Sequence, residues 1–470
     1  MSMQNNNVQE PEELKRLKEN RALILLVELM GFLHDIGKLR KIEDVENPFK
    51  SHATQFENDK QNEKVKVPDG LKNLFEKTFE EILDKKLRDR KLLELFKEVR
   101  IENFQKHHKS ENWVEYIIQL ADKKDSSEDR GRAIHKQIKF KASVFGKESE
   151  IGNLEEMRNE FYKKIDEIFK DCNYEIENDK EFWKEMRIKV IQLLEKYFSE
   201  GVAETERSAN DVSLFDHSYM TGSIAKTLIG KVITGKYSHK EFEPRRYYHF
   251  EQICNLNLLM ISFDTFSFIS QAQRLIDVEG KSAILDNIRN QVKELIEIDF
   301  CLGNCIYEDN ENLCFLVTTI SNDSKIYLKD RIFGIFNQKT KGLLIPVIEF
   351  KENLKFYGKS LAELRRKCKQ KILAKEIEPE YIEELEWKNK WKNGISDVCI
   401  LCNKMPQKDR EEKLCKVCKE VRYKSIERAL EGTRWVDEIA DQNGKIALLI
   451  GKFEPCLLYT SDAADDGESV

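Results

Sequence analysis

Residues 22–33, Ala-Leu-Ile-Leu-Leu-Val-Glu-Leu-Met-Gly-Phe-Leu, are apolar almost all round and run directly into His34-Asp35. A helix with no polar face has to be buried on every side, so the fold must wrap other elements around it. The His-Asp pair at its end is then buried with it, and Gly37 follows where a helix C-terminus favours glycine. An adjacent imidazole and carboxylate without partners inside a core would cost on the order of several kcal/mol. The pair therefore calls for a metal or a closed hydrogen-bond network.

Three other segments carry residues of the same kind. His107-His108 follows a helical pattern with Leu92, Leu95, Phe96, Val99 and Phe104 on its apolar side. Asp122 ends a segment with Trp113, Ile117 and Ala121 at i, i+4 and i+8, and Asp216-His217 opens a helix with the stripe Met220, Ile224, Leu228 and Val232. A single His-Asp or His-His dipeptide is a weak signal, and most histidines are surface or core residues. The chain has only eight histidines, however, and four of them fall in this set. Together they predict four buried helices, each bringing imidazole or carboxylate ligands at one end to metals that keep open positions for substrate. His52, His135, His239 and His249 read as surface or internally satisfied histidines.

Cys399-x2-Cys402-x12-Cys415-x2-Cys418 is the second strong pattern. Two CxxC knuckles around a short basic loop (Lys404, Lys408, Arg410, Lys413) predict a closed tetrahedral zinc site. With no open coordination position its role is structural, and a redox CxxC has no need of a second pair. Zinc would fold a segment too small and too charged to fold alone. Cys172, Cys254, Cys301, Cys305, Cys314 and Cys368 read as core thiols.

A chain of 470 residues implies two to four domains. Its net charge of -6 excludes a global basic field, so any nucleic-acid surface must be local. No signal peptide and no apolar run near ~18 residues is present, which predicts a cytoplasmic protein with reduced cysteines and no membrane partner.

The middle of the chain alternates its periodicity. Residues 256–263 predict a buried strand ending in Asp264, residues 279–297 a helix, and residues 304–307 and 313–319 a hairpin around Glu308-Asp309-Asn310-Glu311-Asn312. Residues 324–336 predict a helix and residues 343–350 a closing strand. This βαββαβ order is ferredoxin-like. Residues 351–392 read as a charged helical linker into the cysteine element.

At these residues the chain resembles a known family. Phe32-Leu33-His34-Asp35-Ile36-Gly37-Lys38, Leu120-Ala121-Asp122 through Ser126-Ser127-Glu128-Asp129-Arg130, and Ser213-Leu214-Phe215-Asp216-His217-Ser218 are similar to the HD domain of the large subunit of type III CRISPR effector complexes. In that family the HD domain is circularly permuted, and the histidine that comes first in ordinary HD enzymes comes last. The order His34-Asp35, His107-His108, Asp122, His217 fits the permuted version. The resemblance implies two divalent transition metals (Mn, Ni, Co or Fe), one held by His217, His34, Asp35 and Asp122. Asp35 would bridge to the second, held by His107 and His108, about 3.5–4 Å away. Lys38 would neutralise the scissile phosphate. The implied activity is metal-dependent cleavage of single-stranded DNA, with guide RNA and target RNA met through a multi-subunit complex. The same resemblance leaves room for a catalytically weak scaffold subunit. A free HD nucleotide phosphohydrolase is a third reading, but it would need no zinc element and no palm.

The middle domain resembles the first palm of the same family, related to nucleotidyl cyclases and polymerases. Asp264 stands where a cyclase palm holds a metal carboxylate and would contact a nucleotide. The hairpin lacks the Gly-Gly turn that lets a backbone approach a nucleotide closely, so this palm is expected to be inactive. After residues 434–440, residues 445–454 resemble the first strand of the second palm, with Glu454 alone where the family has paired aspartates. That departure points to the divergent Csx-eleven branch and to no oligoadenylate synthesis. Residues 456–466 resemble a translated sequencing adaptor and read as non-native. The expected architecture is thus multidomain, mainly α with α+β. A permuted all-α HD domain (1–240) precedes a ferredoxin-like palm (241–350) and a helical linker with the four-cysteine zinc element (351–435). The start of a truncated second palm (436–455) and a non-native tail (456–470) follow.

Overall fold

The computed structural model describes residues 9–39, 55–128, 140–142, 148–171, 180–201, 212–236, 254–374 and 397–422, apart from short breaks at 63, 84–95, 97, 151, 355–356, 409–410 and 412. The stretches read as the second palm and as the tail lie outside the described residues, as do His52, His135, His239 and His249. The chain is mainly helical with a small antiparallel sheet. Among the described residues no helix is long and apolar enough to cross a membrane.

Among the described residues, five longer helices build the first half: α1 (Arg21–Leu33), α2 (Trp113–Glu128), α3 (Leu154–Asp171), α4 (Lys180–Phe198) and α5 (Leu214–Ile233). Every residue of α1 is buried, as its all-round apolar sequence requires. Helix α5 is its principal neighbour and also packs on α2, while α3 and α4 pair with each other. From Thr221 onward α5 too is buried on every face, including Lys226 and Lys231. Two helices without a wet face can only lie at the centre, and the amphipathic ones cover them.

The second half has the element order βαββαβ. Strand β1 (Leu256–Ser262) is followed by α6 (Leu275–Glu294), β2 (Gly303–Glu308), β3 (Asn312–Val317), α7 (Asn322–Thr340) and β4 (Val347–Leu354). The sheet order is β2-β3-β1-β4, all antiparallel, with Leu259 opposite Phe315 on one side and Phe350 on the other. Strand β1 is buried along its whole length, as a central strand covered on both faces must be.

The last strand starts and ends later than the sequence pattern implied. Residues 343–350 were expected to form it because Leu343-Leu344-Ile345-Pro346-Val347 is an apolar run. Pro346 has no N–H to give to a ladder, so pairing begins at Val347. It then continues to Leu354, so residues 351–354 belong to the sheet and not to a linker. Helix α8 (Gly358–Ala374) is not a free linker either. It packs on β4 and β1 with Leu364 and Cys368 buried.

The two halves meet through a buried ionic network. After α6 the chain makes one π-helical turn, Leu295–Asp299, that carries Glu297 into the contact. Arg187 of α4 donates to Glu28 of α1 at 3.0 Å and to Glu297 at 2.8 Å. Lys226 of α5 donates to the Glu297 carbonyl and to Asn304 Oδ1, each at 2.9 Å, and lies 3.4 Å from Glu28. Asn304 donates back to Glu28 at 2.6 Å and to Ser223 at 2.8 Å. Two carboxylates face two cations, so the charges balance inside the core. Burial pushes the Glu28 carboxyl up, but Arg187 and Lys226 hold it below its ordinary value. A network this closed fixes the register of α1 and α5 against the sheet unit.

Candidate metal centres

Helices α1 and α5 cross at Gly31 and Gly222. A Cβ on Gly31 would lie 2.6 Å from the Gly222 Cα, and one on Gly222 would lie 2.3 Å from the Phe32 ring. Only glycine at both positions lets the backbones approach this closely. The crossing puts the C-terminus of α1, with His34 as its cap residue, beside the first turn of α5 with His217. A 3-10 helix (Ile101–Lys106) delivers His107 and His108 from a third direction. Helix α2 supplies Asp122.

Two expectations need correction here. Asp122 does not end its segment but sits inside α2, which continues to Glu128 and so presents a further turn of side chains to the cluster. Asp216 is not a ligand-type partner of His217. It is exposed and closes the N-terminal capping box of α5: its backbone N–H donates to Ser213 Oγ at 3.1 Å, and Ser213 Oγ donates to its carboxylate at 2.7 Å. Of the helical pattern before His107, Leu92 and Leu95 lie outside the described residues, while Phe96, Val99 and Phe104 are buried.

The orientation of the imidazoles is set by what their Nδ1 atoms do. His34 Nδ1 lies 2.8 Å from the Gly31 carbonyl and His107 Nδ1 lies 2.8 Å from the Phe104 carbonyl. His217 Nδ1 lies 2.7 Å from Asp125 Oδ2. A carbonyl or carboxylate only accepts, so each Nδ1 carries the hydrogen. The three Nε2 atoms are turned inward. His34 Nε2 and His217 Nε2 are 3.3 Å apart, and each is 3.2 Å from Asp35 Oδ2. Asp122 Oδ1 lies 3.3 Å from His217 Nε2 and 3.9 Å from His34 Nε2, while Asp35 Oδ1 lies 3.7 Å from His107 Nε2.

Six of the predicted residues therefore converge. They form two groups, each with donor atoms within 4.8 Å of one another: His34, Asp35 and His217 in one, His107, His108 and Asp122 in the other. The sequence reading assigned Asp122 to the first group. Its Oδ1 lies 3.3 Å from His217 Nε2 in that group and its carboxylate also clusters with His107 and His108, so Asp122, like Asp35, reaches both. The first group is buried throughout, whereas His108 is exposed and marks the open side. Lys38, on the 3-10 turn Ile36–Lys38, ion-pairs with Asp35 Oδ2 at 2.5 Å and keeps part of its side chain in solvent.

The electrostatics suit a cation. Burial pushes the Asp35 carboxyl up, but His34, Lys38 and hydrogen bonding to His217 hold it well below the carboxylate range. Burial opposes ionisation of Asp122 too, and His217 and His34 hold it low. His107 is pushed down to about 3, first by burial and then by its neighbour His34. Burial also works against protonating His217, yet its hydrogen bonds with Asp122, Asp125 and Asp35 raise it well above an ordinary imidazole. Ionised carboxylates inside a core need positive charge. A proton on His217 supplies some, and a divalent ion supplies more. Mixed nitrogen and oxygen donors of this kind fit transition metals.

The four cysteines form the other cluster. Cys399, Cys402, Cys415 and Cys418 are buried, with all four sulfurs within 4.8 Å of one another. Asn403 and Lys413 adopt positive φ of 51° and 55° in the turns beside the cysteine pairs. Cys399 N–H donates to the Met405 carbonyl at 2.8 Å, and the Cys418 N–H lies 3.4 Å from Cys415 Sγ. The element is docked on α6, where Arg422 makes a two-point pair with Asp277 at 2.8 and 2.9 Å.

Asp264 does not join any such group among the described residues. Its carboxylate accepts from the Ser267 N–H at 2.9 Å and caps the short helix Thr265–Ile269. The adjoining hairpin turn is closed by Asp309, which accepts from Tyr307, Asn312 and the Glu311 N–H.

The sequence reading missed Asp125. It lies one turn beyond Asp122 on α2, buried, and holds His217 from behind. The signal was the i, i+3 spacing of two aspartates on a helix that otherwise buries apolar residues. It also missed Glu28, the one charge within the apolar run of α1, whose buried partners are described above.

No family model matches the chain, and no curated protein does. Among solved structures it is similar to Csm1 chains. A crystal structure of a Csm1-Csm4 cassette in complex with cA3 matches at 15% identity and a TM-score of 0.44, over 75% of this chain and 48% of that chain. The same cassette in complex with AMPPNP matches at 17% identity and a TM-score of 0.44, over 75% and 48%. Csm1 of T. onnurineus matches at 16% identity and a TM-score of 0.43, over 75% and 49%. The chain thus spans about half the length of the Csm1 chains it is similar to.

Proposed function

We propose that this chain acts in the cytoplasm as a large subunit of a type III CRISPR effector complex, with an HD-type centre that cuts single-stranded DNA. One observation carries the reading: three buried imidazoles commit their Nδ1 hydrogens to fixed acceptors and turn three Nε2 atoms toward two ionised carboxylates. Without a metal this arrangement is satisfied only by a second proton on His217, and a divalent ion between the same atoms would take over that proton's place. When bound, two divalent transition metals (Mn, Ni, Co or Fe) acidify water and offset charge on the phosphate. Asp35 and Asp122 lie where each reaches both halves of the cluster, and Lys38 offers a cation at its rim for the scissile phosphate. His108 stands on the open side, where a single strand can enter.

The sheet unit is read as the first, inactive palm, from its βαββαβ order and its glycine-poor hairpin. With Asp264 committed to a helix cap and Glu454 alone in the second palm, incubation with labelled ATP and Mg²⁺ should give no cyclic oligoadenylate. The same residues underlie assignment to the Csx-eleven branch. The four-cysteine element is read as a structural zinc site. Guide and target RNA would be met through partner subunits.

The test of the nuclease reading is Mn²⁺- or Ni²⁺-dependent cleavage of single-stranded DNA by the wild type and by His34→Ala/Asp35→Ala. Loss of cutting in the variant, with its helical fold intact, is the expected result. Equal activity in the two proteins contradicts the assignment.

A further inference from the structure

We propose that Tyr357, contributed by the sheet unit, is a positioning residue of the His/Asp centre, acting through Asp125 on His217. This rests on the proposed metal-binding function of that centre. The Tyr357 hydroxyl donates to Asp125 Oδ1 at 2.9 Å, while Asp125 Oδ2 accepts from His217 Nδ1 at 2.7 Å. One carboxylate is therefore pinned at both oxygens, by a phenol from one unit and an imidazole from the other. A carboxylate held at one oxygen alone can rotate about its Cβ–Cγ bond and take its partner ring with it. Held at both, it fixes the plane of the His217 ring and so the direction in which Nε2 points. That direction is what places Nε2 3.2 Å from Asp35 and 3.3 Å from Asp122.

Tyr357 is itself well placed to be a fixed anchor. It follows β4, which pairs with the central strand, and its carbonyl accepts from the Leu361 N–H at 2.8 Å in the first turn of α8. Asp125 and His217 come from α2 and α5, 92 residues apart in sequence, and Tyr357 lies 232 residues beyond Asp125. Outer partners of this kind typically change metal affinity or activity by about 10–100-fold when removed, because they set tautomer, orientation and basicity of the ligand. The geometry thus makes metal affinity depend on how the sheet unit is seated against the helices.

The experiment is Mn²⁺ binding to the full chain, followed by electron paramagnetic resonance with zinc left in the cysteine element. Wild type, Tyr357→Phe, Asp125→Asn and the double variant are compared, alongside the thermal midpoint of each metal-free protein. Tyr357→Phe keeps the ring and removes only the hydroxyl. It should weaken Mn²⁺ binding by about tenfold with little change in the metal-free midpoint, and Asp125→Asn should weaken it more. The double variant should bind no worse than Asp125→Asn alone, since Tyr357 acts through that carboxylate. Wild-type affinity in Tyr357→Phe overturns the proposal, with or without a drop in midpoint, and so do losses that simply add. If the wild type itself binds no Mn²⁺ at this centre, the metal reading fails and this inference falls with it. Should Asp125→Asn fail to fold, the Tyr357→Phe affinity decides alone.

Discussion

The His/Asp cluster and the four-cysteine cluster solve the same problem, gathering several donor atoms at one point, by opposite routes. The cysteines span twenty residues of sequence and are brought together by two local turns. The His/Asp donors come from four separate elements between His34 and His217, and only the crossing of α1 and α5 and the packing of α2 make them meet. The first cluster is closed and buried; the second has an exposed histidine on one side. A closed local site can stabilise its own segment but has no vacancy for substrate. An open site assembled by tertiary packing can do chemistry but takes its geometry from the whole helical half. In the proposed reading zinc would hold up a fold in one region, while in the other a fold would hold up the metal site.

The largest effect that could break this contrast is zinc loss. Replacing Cys415 and Cys418 by serine should remove one zinc and unfold residues 397–422 locally, since structural zinc contributes on the order of 10 kcal/mol in small elements. Hydrogen exchange should show the loss confined to that segment, with Mn²⁺ binding at the His/Asp centre retained. Loss of that binding would mean the two regions are not independent.

Next in size is the ionic network under α1. Glu28→Ala would leave two buried cations, Arg187 and Lys226, against the single carboxylate of Glu297, and breaking a buried pair typically costs about 3–5 kcal/mol. Denaturant unfolding should show it, with zinc content unchanged. The pH dependence has a definite sign. The Glu28 carboxyl is held below its ordinary value in the folded state, so the unfolded chain takes up its proton first. Its contribution is present above the ordinary carboxylate pKa and is lost as pH falls through the lowered one. Glu28→Gln should flatten that part of the acid limb.

A smaller change sharpens the contrast at the helix crossing. Gly222→Ala adds one methyl where Phe32 and the Glu28 carbonyl already touch, an overpacking that costs about 1–3 kcal/mol. It should weaken Mn²⁺ binding more than it lowers stability, because it pushes His34 and His217 apart. Unchanged Mn²⁺ affinity would show that the crossing does not set the site. Smallest of all, Asp216→Ala should cost about 1 kcal/mol or less through the lost cap, with no change in Mn²⁺ affinity. A fall in affinity would add Asp216 to the ligand set.

What was legible in the sequence follows the same division. The four-cysteine element was readable outright because its ligand spacing is local. The buried helix ending in His34 was readable from the absence of a polar face. The six converging residues were readable as a set, but the reach of Asp122 to His107 and His108 as well as to His217 was not, because helix packing sets it. Asp216 misled because a dipeptide has two chemically plausible members, and a capping box uses the first as naturally as a metal uses the second. The limits of β4 were obscured by an apolar run that a proline divides. Asp125, Tyr357 and the partners of Glu28 were invisible because each takes its meaning from a residue roughly 90 to 280 positions away.

The central claim is that the His/Asp cluster is a two-metal centre built by the helical fold. It is tested most directly by anomalous scattering from crystals soaked in Mn²⁺, with zinc distinguished by its own absorption edge. The account predicts manganese between His34, Asp35 and His217 and between His107, His108 and Asp122, and zinc only among the four cysteines. Manganese absent from the histidines in crystals whose cysteines hold zinc would contradict it.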